Sequence, residues 1–108
     1  MSKSIITEYE NISAFSGTPA ECQHHCIFGV GKRELADREG LWIPLTNAEH
    51  NMSSNGLVLQ IHGNPAAEKL SKMVGQLAFE KNYYKNKCGE KEDPAREAFR
   101  KIFKESYL

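Results

Sequence analysis

The only histidines in the 108 residues are His24, His25, His50 and His62, and all four fall between positions 24 and 62. Imidazole is the commonest metal ligand and the side chain best suited to moving protons near neutral pH. Three imidazoles on one divalent ion leave coordination positions open for water and substrate, as a catalytic metal requires. A fourth imidazole beside them would be free for proton transfer. Cys22 and Cys26 flank the histidine doublet and offer a rival chemistry. One of these thiolates, with His50 and His62, would make a closed structural zinc site. The Cys-x3-Cys spacing is less usual for zinc than Cys-x2-Cys. Cys88, the third cysteine, stands in a polar loop and reads as a bystander.

The elements that must hold these side chains can be read along the chain. Residues 22–28 read as a strand that stops at the Gly29-Val30-Gly31 loop. On a strand, neighbouring side chains point to opposite faces, so His24 and His25 would serve different environments. Arg33 to Glu39 fits two helical turns closed by Gly40. Leu41 to Leu45 fits a second apolar strand, with Pro44 at an edge or an end. Thr46-Asn47-Ala48-Glu49 fits a capping box, a threonine cap answered by a glutamate three residues on. A helix starting there carries His50, and Ser53-Ser54-Asn55-Gly56 breaks it. Asn64-Pro65 and Asp93-Pro94 are two more helix starts, each an N-cap followed by proline. They predict helices from Pro65 to about Tyr84 and from Pro94 to about Lys104. Leu70, Met73, Val74, Leu77 and Ala78 give the first an apolar stripe at 3.6 spacing, and Ala98, Phe99, Ile102 and Phe103 give the second one.

Fourteen basic residues balance fourteen acidic ones, so the chain has no global positive field. The length fits one small domain. It divides into an N-terminal arm (1–12), a core that carries the histidines (13–64) and a helical part (65–108). The sequence has no run of apolar residues long enough for a membrane span and shows no secretory signal. The expectation is a cytoplasmic chain with reduced thiols and no membrane partner.

The residues resemble the small phage and prophage proteins of the HNH, or His-Me finger, endonuclease superfamily. The resemblance rests on His24-His25-Cys26-Ile27-Phe28-Gly29 followed by Lys32-Arg33, then on Gly40-Leu41-Trp42-Ile43-Pro44-Leu45. Glu49-His50-Asn51, His62-Gly63-Asn64 and the ending Phe99-Arg100-Lys101-Ile102-Phe103 complete it, over roughly residues 13–108. It implies an α+β fold with a ββα-metal, treble-clef-like core and two C-terminal packing helices. It implies hydrolysis of DNA phosphodiester bonds in a bacterial host cell with one divalent ion, Mg, Mn, Ni or Zn. His24, His50 and His62 would be the metal ligands and His25 the general base. Lys32, Arg33, Asn51 and Asn64 would lie on the substrate side. The alternative is a non-catalytic nucleic-acid- or protein-binding module with a structural Cys/His zinc site on the same fold.

Two departures from the family pattern stand out. Many relatives hold a structural zinc with two cysteine pairs, and here those places fall on Ser13 with Ser16 and on Thr46 with Glu49. The family asparagine that orients the base would fall near Gly40-Leu41-Trp42, leaving Asn47 or Asn51 as substitutes. Without the structural zinc, the fold must rest on Phe28, Leu41, Trp42, Ile43 and Leu45, packed by Leu70, Val74, Leu77, Phe99 and Ile102.

Overall fold

The computed structural model describes residues 2–52, 60–87 and 94–108. It is a small α+β structure built on one two-stranded hairpin. Strands β1 (Cys22–His25) and β2 (Trp42–Leu45) pair antiparallel, with His24 opposite Ile43 and His25 opposite Trp42. β1 is shorter than the sequence predicts, because only its first four residues pair. Cys26 still donates its N–H to the Leu41 carbonyl at 2.8 Å before the chain turns away. Pro44 is tolerated because a two-stranded sheet has only edges. Helix α1 (Lys32–Arg38) fills the hairpin connection, and Gly40 closes it with φ of +73°. A Cβ at Gly40 would lie 2.4 Å from the Lys3 carbonyl oxygen. The N-terminal arm therefore runs tight against this turn, and the Ile5 N–H donates to the Gly40 carbonyl at 2.9 Å.

The predicted capping box forms in both directions. The Glu49 N–H donates to Thr46 Oγ1 (3.2 Å), and the Thr46 N–H donates to Glu49 Oε1 (2.9 Å). The helix it starts is a single π-turn, Ala48–Met52. The Ser13 hydroxyl also donates to Glu49 Oε1. The Ser13 oxygen in turn accepts the N–H groups of Phe15 and Ser16. Burial opposes the charge on Glu49, but hydrogen bonds from Ser13, Thr46 and Ser16 outweigh it and hold the carboxyl below its usual range. Ser13, Ser16, Thr46 and Glu49, the four positions where the resemblance led to the expectation of a missing structural zinc, are thus tied together by hydrogen bonds.

Helix α2 (Pro65–Lys87) starts where expected, with Asn64 Oδ1 accepting the N–H groups of Ala66 and Ala67. It runs past Tyr84, its expected end, to Lys87. Helix α3 (Pro94–Phe103) follows. Asp93, Cys88 and the predicted break at Ser53–Gly56 lie outside the described residues. One core cluster joins Ile27, Ala36 and Leu41 to Phe79, Phe99 and Phe103, and a second joins Cys26, Ile43, Leu45 and Ile61.

The expected packing of α2 needs correction. Leu70, Val74 and Leu77 are exposed, while Ser71, Gly75, Gln76 and Phe79 are buried. A Cβ on Gly75 would lie 2.8 Å from Ile27 Cδ1 and 3.0 Å from Cys26 Cβ. Close approach to the end of β1, rather than burial of the largest apolar side chains, decides which face of α2 turns inward. Phe28 is also only half-buried, against the histidines rather than in the core. Among the described residues no helix is long and apolar enough to cross a membrane.

Candidate metal centre

His24 comes from β1, His50 from the π-turn and His62 from the segment before α2. Backbone pairing sets the last two side by side. The Ile61 N–H donates to the Glu49 carbonyl (2.9 Å) and the His62 N–H to the His50 carbonyl (3.0 Å). The three rings pack edge to face, with centroids 5.1, 5.1 and 4.7 Å apart. One ring nitrogen from each lies within 4.8 Å of the others, so the group could hold a metal ion. Neither Cys22 nor Cys26 belongs to it. Cys22 donates its thiol to the Leu45 and Thr46 carbonyls, and burial pushes the Cys26 thiol up to about 12.

His24 is fully buried. Burial first, then the neighbouring His50, His62 and His25, lowers its pKa to about 3, so it is neutral at pH 7. His50 is shifted in the same direction, by burial, then by His62, Arg33 and His25. Nε2 of His24 lies 2.7 Å from the Ser71 hydroxyl. Nδ1 of His24 is buried and has no hydrogen-bond partner. Leaving a buried polar atom unpaired costs about 1–3 kcal/mol. A metal ion would take that lone pair, and three neutral imidazoles are a donor set that suits one. The residues present therefore fit a divalent ion.

His25 faces elsewhere, as strand alternation requires. Its Nε2 lies 3.2 Å from Asp37 Oδ1 of α1. It still lines an open cleft of about 560 Å³ together with Phe28, Arg33, His50 and His62. The other expected site residues divide. Arg33 is exposed on the rim of that cleft. Lys32 is engaged by Glu105 and by the Tyr107 hydroxyl (3.1 Å), which raise its pKa against the opposing effect of burial. Asn64 spends its side-chain oxygen on capping α2. The side chain of Asn51 lies outside the described residues. Asn47 is exposed and remote in contacts, its backbone N–H donating to Glu21. The group that touches His25 is Asp37, which the sequence reasoning missed. Ser71 and Glu68, the latter 3.4 Å from His62 Nδ1, are likewise absent from the sequence-based expectation. None of the three leaves a local signal, since each meets its histidine only through the fold.

Compared with family models, curated proteins and solved structures, the chain matches none.

Proposed function

We propose that the chain is a metal-dependent endonuclease of the HNH, or His-Me finger, type, of phage or prophage origin, acting on DNA. The observation that carries this reading is the division of labour in the doublet. His24 offers an unpaired buried nitrogen to the company of His50 and His62, while His25 pairs with a carboxylate beside the same cleft. A hairpin followed by a short helix, each contributing one histidine, is the arrangement expected of a ββα-metal core.

Bound by His24, His50 and His62, a divalent ion would act as a Lewis acid on a phosphodiester and stabilise the leaving oxygen. Imidazole donors suit zinc or nickel better than magnesium, which prefers oxygen. The Asp37 carboxylate can only accept, so the proton of neutral His25 sits on Nε2, and Nδ1 keeps the lone pair. That nitrogen is the base that takes a proton from the attacking water. The fixed ring orientation is what Asp37 supplies. Arg33 at the rim would meet a phosphate of the strand. Lys32, held by Glu105, is less suited to that role than the sequence suggests.

Supercoiled plasmid incubated with each of Mg, Mn, Ni and Zn, with and without chelator, tests the reading. Nicking that chelator abolishes is expected. His25→Ala should keep its metal and lose about 10²–10⁴-fold in rate. No hydrolysis with any of the four ions would refute the enzyme and leave a non-catalytic binding module.

A further inference from the structure

Glu68 and Ser71 lie three residues apart in the first turns of α2, and each meets one histidine of the cluster. The Ser71 hydroxyl donates to the Cys26 carbonyl at 2.9 Å. A hydroxyl has one proton, and a carbonyl can only accept. Ser71 Oγ is therefore an acceptor towards His24, 2.7 Å away, and the proton of that bond belongs to His24 Nε2. On the neutral ring this leaves Nδ1, the buried atom without a partner, as the donor. Glu68 works in the same way on His62. Its Oε2 accepts from His62 Nδ1 (3.4 Å) and from the Gly63 N–H (3.3 Å), so Nε2 is the donor of that ring.

We propose that the start of α2 sets the tautomers of the cluster. Ser71 holds His24 as Nε2–H and Glu68 holds His62 as Nδ1–H, so a metal is taken through opposite ring nitrogens, Nδ1 of His24 and Nε2 of His62. Both are positioning residues, since each holds a ligating ring by the nitrogen turned away from the metal. Gly75, one turn beyond Ser71, is the reason the helix comes close enough, because a side chain there meets Ile27 and Cys26. Partners on the far nitrogen of a ligating histidine commonly contribute about 10–100-fold in metal affinity. The metal half of the inference rests on the proposed reading of the three histidines, whereas the tautomers exist without any metal.

The test has two arms. Long-range 1H–15N spectra of the metal-free protein at neutral pH should show His24 protonated at Nε2 and His62 at Nδ1, opposite tautomers in neighbouring rings. The same tautomer in both rings would overturn the proposal. In the second arm, Zn2+ is titrated in competition with a chromophoric chelator. Ser71→Ala and Glu68→Ala should each weaken binding by about 10–100-fold, with Ser71→Thr and Glu68→Gln recovering most of the loss. Wild-type affinity in a folded Ser71→Ala protein would also overturn it. If Ser71→Ala does not fold, the wild-type spectrum decides. If wild-type protein takes up no zinc, the metal reading falls, while the tautomer assignment still stands or falls on the spectrum.

Discussion

Replacing Gly75 by alanine is a sharp test of how α2 meets the hairpin. In a free helix, glycine to alanine gains about 1 kcal/mol. At Gly75 the new Cβ would lie 2.8 Å from Ile27 Cδ1 and 3.0 Å from Cys26 Cβ. The Ile27 contact involves the tip of a flexible side chain and can relax. The Cys26 contact cannot relax without moving the backbone whose carbonyl accepts the Ser71 hydroxyl. Forcing a methyl into a packed interior costs about 1–3 kcal/mol. The difference is a net loss of about 1 kcal/mol, a fall in Tm of about 4–8 °C for a domain of this size. Zinc affinity should fall with it, since α2 is pushed off Ser71's partners. Val74→Ala, at an exposed neighbouring position, is the control and should stay within about 0.5 kcal/mol of wild type. Thermal and urea melts of the metal-free proteins read both changes. A Gly75→Ala protein more stable than wild type by the full helix gain would refute the close approach of α2 and, with it, the account of why Leu70 and Val74 face outward.

Further outcomes follow from other contacts. Ser13→Ala should cost about 1–3 kcal/mol in melts with or without chelator, because it removes a donor from the buried Glu49 carboxylate; a melt that only chelator lowers would mean a metal sits there instead. The carboxyl of Glu49 is held below its ordinary 4.5, so its contribution is complete above that pH and is lost as pH falls through the lowered value. The stability gap between wild type and Glu49→Gln should therefore shrink in acid, as urea melts across that range would show. Asp37→Ala should leave zinc binding intact yet slow plasmid nicking, as expected if it orients His25 rather than the metal cluster. Replacing Cys22, Cys26 and Cys88 by serine should leave metal content unchanged by elemental analysis, with a loss of about 1–3 kcal/mol from the buried Cys26 position; loss of the metal would restore the cysteine–histidine zinc site.

What the sequence discloses here and what it hides differ in physical kind. The Thr46–Glu49 box and the Asn64 cap are contacts across three residues, so composition and spacing carry them directly. The split of His24 from His25 follows from strand alternation and is equally local. The grouping of His24 with His50 and His62 is less so, since it depends on the pairing of Ile61 and His62 with the backbone of Glu49 and His50. The inner face of α2 was misleading because apolar periodicity assumes that the largest hydrophobic residues seek the core. Here the helix crosses the end of β1, where the partners are a histidine nitrogen and a peptide carbonyl. Such a crossing calls for a hydroxyl at Ser71 and the absence of a side chain at Gly75, and neither registers on a hydrophobicity scale. Phe79, with Ala78 and Tyr83 packed beside it, carries that face into the core. The apolar residues left over, Leu70, Val74 and Leu77, form a stripe on the outside that looks from sequence like the inside. Asp37 and Glu68 are hidden for a related reason. Each is one carboxylate among fourteen acidic residues, and only the folded chain shows which of them stands behind a histidine.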